Sequence, residues 1–182
     1  MRALLVEFRM SNRLNVLFLC TGNSCRSQMA EGIMNTFHHN RFQAFSAGSA
    51  PDLSRYPETR GVHPGAIDIM RKNNVHVQHL HAKSWDAFLN HADHIQFVFT
   101  LCGSAREEMI DTCPVFPGQP LSAHWGVPDP AAATGGAEEI ERVFKEVFLM
   151  LRRRIELFAA LPLHTLQDHA LQSSLDDIGR SS

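Results

Sequence analysis

The sequence predicts an α/β fold, a parallel sheet with helices packed on both faces. Three observations point there. Asn15–Cys20 and Gln96–Leu101 are continuous apolar runs, the pattern of strands buried on both faces. Segments of helical period alternate with the strand-like runs, as βαβ units with right-handed crossovers require. The longest helical pattern, Glu138–Leu161, comes late and carries enough apolar residues to cover much of a sheet face. At 182 residues the chain has the length of one domain with an ordinary core.

The elements follow in order. Asn15–Cys20 is the first strand. Arg26–His39 is a helix with Met29, Ile33, Met34 and Phe37 on its inner side. Gln43–Ala47 is a short second strand that stops at Gly48, and Ser49–Gly61, with Pro51 and Pro57, is a loop. His63–Asn73 is a helix with Pro64 near its start and Ala66, Ile67 and Met70 inward. Ser84 is placed to cap a short helix over Ser84–His91. Gln96–Leu101 is the next strand, and Val115–Gly126 is loop with a short final strand near Ala123–Trp125. Pro162 closes the long helix, and Leu166–Ile178 is a weaker last one. Residues 1–14 read as a tail, 15–161 as the domain and 162–182 as a helical extension.

Composition excludes several function classes. A formal net charge of −2 supplies no footprint for nucleic acid. No apolar run approaches the roughly 18 residues of a membrane span. Glu7, Arg9 and Arg13 interrupt the apolar character of the first residues, so no secretion signal is expected. A reducing cytoplasm is then the expected compartment, where cysteines serve catalysis or metals rather than structural bridges. The four cysteines, Cys20, Cys25, Cys102 and Cys113, contain no Cys-x-x-Cys pair, which argues against zinc.

The chemistry concentrates where the first strand ends. Cys20 is followed by Thr21, Gly22, Asn23, Ser24, Cys25, Arg26 and Ser27, and a helix begins there. Backbone N–H groups of such a loop, with the positive end of the helix, make a nest for a tetrahedral oxyanion. Arg26 adds a planar fork suited to two oxyanion oxygens. A cysteine at the base of that nest is expected as a thiolate, since helix N-termini and nearby cations lower thiol pKa values to roughly 3.5–7.5. Ser27 is placed to donate its hydroxyl to the sulfur. Asn23 suits a left-handed backbone turn within the loop. In open parallel sheets ligands gather beyond the carboxyl ends of the strands, and Cys20 and Cys102 both follow strands.

Further short segments accompany the loop: Ser46-Ala47-Gly48, Val62-His63-Pro64-Gly65-Ala66-Ile67, Thr100-Leu101-Cys102, Cys113-Pro114 and His124-Trp125-Gly126-Val127-Pro128-Asp129-Pro130-Ala131. With the loop, and in this order from Asn15 to Ala131, they resemble the low-molecular-weight protein tyrosine phosphatase superfamily. More narrowly they resemble the bacterial arsenate reductases built on that fold. The resemblance implies a four-stranded sheet in the order 2-1-3-4 and makes Asp129 the general acid, protonating the oxygen that leaves as Cys20 attacks. From spacing alone, Pro128-Asp129-Pro130 is only a stiff turn. His124 and Trp125 either wall the site or pack in the core.

Two departures from a phosphatase favour the reductase. Phosphatases of this fold carry aromatic side chains after the acid, whereas this chain has Ala131-Ala132-Ala133-Thr134-Gly135-Gly136. The second is the pair Cys102 and Cys113. The resemblance implies that Cys102 attacks the Cys20–arsenic adduct, expelling arsenite, and that Cys113 takes over the disulfide by exchange. A disulfide needs Cα atoms within about 7 Å. Eleven helical residues would hold Cys102 and Cys113 roughly 16 Å apart, so the segment between them has to loop or melt. The alternative for Cys113 is a buried residue beside Pro114.

No bound cofactor is expected. An external thiol, from thioredoxin or the glutathione–glutaredoxin system, would restore the enzyme, and a monomer is expected. Cys25 reads as structural, or as a thiol that traps Cys20 under oxidation. Some family members hold a potassium ion with residues matching Asn23, Glu31 and Ser46, which makes potassium a candidate here. His76, His79 and His81 cluster with no carboxylate or cysteine to accompany them, the pattern of a solvated turn more than of a metal site. The rival reading is a phosphatase acting on phosphotyrosine or other phosphoesters. A non-catalytic oxyanion- or redox-sensing module is a third.

Overall fold

A computed structural model describes residues 13–91, 94–101 and 120–181. Four strands form one parallel sheet: β1 (Leu14–Cys20), β2 (Phe42–Gly48), β3 (Phe97–Thr100) and β4 (Leu121–His124), in the order β2-β1-β3-β4. The register sets Leu19 beside Ala47 and Thr100, and Thr100 beside His124. Cys20, Gly48, Thr100 and His124 therefore share the carboxyl edge of the sheet.

The apolar run of β1 has a direct cause. Val16 and Phe18 enter a large core cluster, while Leu17 and Leu19 enter a smaller one with Ala47, Phe88, Ile95 and Val98. A central strand with both faces covered has no side to leave polar. The two faces are unequal. The larger cluster takes in α1 (Arg26–Phe37), α2 (Pro64–Lys72), α4 (Ala137–Ala159) and α5 (Asp168–Arg180). On the other, the helix among the described residues is the single turn α3 (Asp86–Leu89), which contributes Phe88.

Helix α4 buries Phe144, Val147, Phe148, Leu151, Ile155 and Phe158 at helical spacing. Glu139 reaches back to accept from the Gly136 N–H at 2.9 Å and fixes its start. Phe158 meets Phe97, Phe99 and Trp125 edge-on, and Trp125 stacks on Phe99. Burying each such ring contributes about 2–3 kcal/mol.

The C-terminal helix belongs to this core. Leu171, Leu175 and Ile178 of α5 are buried against it. Gln172 Nε2 donates to Ser122 O of edge strand β4 at 2.8 Å, and Trp125 Nε1 donates to Leu175 O at 3.0 Å. Arg154 of α4 is buried and donates to Trp125 O, Gly126 O and Ser181 O at 3.0, 3.1 and 3.0 Å.

Several boundaries differ from expectation. The last strand begins at Leu121 and ends at His124, because its pairing with β3 starts at Phe97. Ser84 forms an isolated bridge with Gly48, and the residue that caps the short helix is Trp85. Helix α1 stops at Phe37, whose ring is 40% exposed and lies under the Arg152 guanidinium. Residues 1–12, Cys102 and Cys113 lie outside the described residues.

Candidate active site

The loop from Cys20 to Ser27 is held by hydrogen bonds, and the residue that organises them is Asn23. It is fully buried with φ of 48°, the left-handed conformation that asparagine tolerates. Its N–H donates to Cys20 Sγ at 3.2 Å. Its Nδ2 donates to Ser27 Oγ at 2.8 Å and to Ser46 Oγ at 2.9 Å. Its Oδ1 accepts from the Lys83 N–H at 2.9 Å and Gln28 Nε2 at 3.0 Å. Since Ser27 Oγ accepts from Asn23, its own proton is left for Cys20 Sγ, 2.9 Å away. Two donors thus converge on the sulfur and favour its anionic form.

Neighbouring backbone closes the cradle. His63 N–H donates to Ser24 O at 2.9 Å and Ala50 N–H to Thr21 O at 3.0 Å. A Cβ on Gly48 would sit 2.5 Å from Thr21 O and 3.1 Å from Asn23, so the strand β2 must end on glycine here. Helix α1 opens at Arg26 with no side-chain cap from Cys25, and its dipole end faces the loop.

Arg26 and Asp129 form the rim. One arm of the guanidinium donates to Val127 O at 3.3 Å, and the other meets Asp129 Oδ2 at 3.3 Å. Asp129 Oδ1 accepts from the Ala131 N–H at 3.1 Å, which holds the carboxylate in its turn. Asp129 is 43% exposed and Arg26 12%, so the pair is tied loosely enough to exchange partners. Loop, guanidinium and acid are brought together as the sequence predicted for Cys20, Asn23, Arg26, Ser27 and Asp129.

Other residues resolve differently. Burial pushes the Cys25 thiol up to about 12, which makes it a packing residue at neutral pH. Trp125 is fully buried in the aromatic stack, and His124 Nδ1 pairs with Thr100 Oγ1 at 2.7 Å. His63 lies against Tyr56 and Phe144 and accepts at Nδ1 from the Gly65 N–H at 3.0 Å. Burial draws His63 below the ordinary histidine value, joined by Arg55, while Asp129 pulls the other way.

Sequence reasoning named Glu31 and Ser46 only as candidate potassium ligands and missed the rest of the layer behind the loop. Gln28 is fully buried and donates to Asn23 O, Asn23 Oδ1 and His81 O. Glu31, 5% exposed, accepts from Ser46 Oγ at 2.5 Å and pairs with Lys83 Nζ at 3.3 Å. His79 Nε2 stands 3.8 Å from its other oxygen, so the histidine cluster does have a carboxylate beside it. The available signal was Gln28 and Glu31 at inward positions of a helix, where polar side chains must find partners.

This layer also tests the potassium expectation. The Asn23 carbonyl already accepts twice, and Ser46 donates to Glu31 and accepts from Asn23. Gln28 Oε1 is buried without a partner, but one oxygen does not make a cation cage. The residues present do not fit an alkali cation. Among the described residues no group of three or more His, Cys, Asp or Glu could hold a metal, and no helix among them is long and apolar enough to cross a membrane.

Comparison with known proteins gives a consistent set. Residues 15–170 match the family model described as low molecular weight phosphotyrosine protein phosphatase. A protein of Oceanobacillus iheyensis named arsenate reductase is 40% identical over 145 residues, covering 79% of this chain and 94% of that one. An arsenate reductase of Bacillus subtilis is 36% identical over 151 residues, covering 82% and 97%. Among solved structures, an arsenate reductase in the phosphate binding state superposes with a TM-score of 0.64 at 27% identity, over 81% of this chain and 97% of that one. The tyrosine phosphatase Wzb from Escherichia coli K30, in complex with sulphate, shares the fold with a TM-score of 0.62 at 18% identity, over 80% and 95%.

Proposed function

This chain belongs to the low molecular weight phosphotyrosine protein phosphatase family, and from that premise we propose that it reduces arsenate to arsenite. The observation that carries the reading within the family is the 40% identity to a protein named arsenate reductase along 94% of that protein. The site supports it: a sulfur held by Ser27 and Asn23 lies beneath an arginine–carboxylate rim. After Asp129 the chain turns through Pro130–Ala132, small residues that present no aromatic face to grip a phenol.

The Cys20 thiolate attacks arsenic, held by the loop N–H groups and Arg26. An As–S bond forms, and an arsenate oxygen leaves as water with a proton from Asp129. Cys102 then attacks Cys20 sulfur. The S–S bond forms, the As–S bond breaks, and its electron pair stays on arsenic, which departs as arsenite. Cys113 attacks Cys102, freeing Cys20 and leaving a Cys102–Cys113 disulfide. Thioredoxin or the glutathione–glutaredoxin system supplies the two electrons that reduce it. A reducing cytoplasm and a monomer acting alone suit this cycle, with its residues inside 15–161 and the C-terminal helix packed into the same core.

The decisive experiment gives the purified protein arsenate, NADPH and each reductant system in turn. NADPH loss should vanish in Cys102→Ser, while that variant still hydrolyses an aryl phosphate. Arsenate turnover undiminished by Cys102→Ser overturns the cysteine relay. Aryl-phosphate hydrolysis without arsenate reduction would instead favour the phosphatase reading, which the shared fold with the Escherichia coli enzyme supports.

A further inference from the structure

We propose that Lys83 is the resident cation of the oxyanion loop, an ammonium built into the chain where a bound alkali metal would otherwise be needed. The inference stands on the loop's architecture and does not depend on arsenate being the substrate.

Glu31 creates the need. Its carboxylate is almost fully buried on α1, directly behind the loop. A buried carboxylate is costly unless it is paired and hydrogen-bonded. Lys83 Nζ lies 3.3 Å from Glu31 Oε2 and also donates to His81 O at 3.0 Å. The other base beside the carboxylate is His79, 3.8 Å away. Burial holds His79 below the ordinary histidine value despite the pull of Glu31, so at neutral pH it brings no full charge.

Lys83 is also fixed at its backbone. Its N–H donates to Asn23 Oδ1 at 2.9 Å, and its carbonyl accepts from the Gly48 N–H at 2.9 Å. The same residue therefore takes an Asn23 oxygen with its main chain and the Glu31 oxygen with its side chain.

The consequence runs to the sulfur through four contacts. Lys83 holds Glu31, and Glu31 takes the Ser46 proton. Ser46 Oγ is thereby turned to accept from Asn23 Nδ2. Asn23, fixed in its left-handed conformation, aims its N–H at Cys20 Sγ. Lys83 acts on the sulfur only through Glu31, Ser46 and Asn23, so it is a positioning residue.

The test uses the reduced full-length protein, with thermal melting, inorganic phosphate binding by calorimetry, and the rate of Cys20 alkylation by iodoacetamide read by peptide mapping. Wild type should give the same values in potassium chloride and choline chloride at equal ionic strength. Lys83→Met should slow Cys20 alkylation and weaken phosphate binding several-fold, and Lys83→Arg should restore most of both. Lys83→Asp, which puts a second carboxylate beside Glu31, should gain melting temperature and phosphate affinity when potassium replaces choline. Should single variants fail to fold, Glu31→Gln/Lys83→Met removes both charges, and it should fold and ignore potassium. The proposal is overturned by wild type that tightens on phosphate with potassium, by Lys83→Met with unchanged alkylation and phosphate affinity, or by a folded Lys83→Asp indifferent to potassium.

Discussion

Ser27 carries one hydroxyl proton, and the Asn23 amide decides where it goes. Because the oxygen accepts from Asn23, the proton faces Cys20. Ser27→Ala should therefore lower turnover by about 10²-fold, the scale for losing one preorganised donor to a reacting anion. Its melting temperature should fall only modestly, so single-turnover kinetics beside calorimetry separates chemistry from folding. Turnover within a few-fold of wild type would remove Ser27 from the site. Cys20, Arg26 and Ser27 were legible because they sit in one run whose order the chemistry dictates, whereas Asp129, from spacing alone a stiff turn, was singled out only by the family resemblance. Gln28 and Lys83 were not, and Glu31 was named only as a candidate potassium ligand. Lys83 is far along the chain from Asn23 and Glu31, and no local spacing rule encodes a contact of that range. Cys102 and Cys113 were legible as residue types, while their roles rest on the proposed chemistry.

At the scale of elements, the sequence announces strands and helices better than their ends. The β1 run is unambiguous because both its faces are buried. The start of β4 is not, because three of its four residues are exposed or partly so and its limits come from pairing with β3. Helix α5 reads as weak in sequence but docks closely, and Gly179 is the reason it can. A Cβ there would collide with His124 O and press on Trp125. Alanine in a helix interior usually gains about 1 kcal/mol over glycine. The collision is with backbone that cannot yield, and overpacking of this kind costs about 1–3 kcal/mol. Gly179→Ala should thus be net destabilising, by up to about 2 kcal/mol in urea unfolding, the difference of those two figures. A more stable variant would show that α5 is not seated on β4 in solution.

For the whole molecule, acid sensitivity follows from partly buried imidazoles. Burial lowers His38, His63 and His79 below the ordinary value of 6.5. The unfolded chain then binds more protons than the folded one over that interval, so stability rises with pH there. The full contribution is present above about 6.5 and is lost as pH falls toward the depressed native values. Melting temperature should fall on acidification from pH 7 to 5, and His38→Gln, away from the active-site loop, should flatten that slope. A slope unchanged by the substitution would assign the acid sensitivity to other groups.

The C-terminal clamp has one more consequence, in the order of synthesis. Trp125 needs the carbonyl of Leu175, and Arg154 needs that of Ser181. A growing chain delivers both donors before either acceptor. The last strand and the acid-bearing turn beyond it are thus complete in sequence but without their final anchors until α5 has been translated. Vectorial emergence can assemble β1, β2 and α1 early. The rim of the active site is locked last, by residues that take no part in its chemistry.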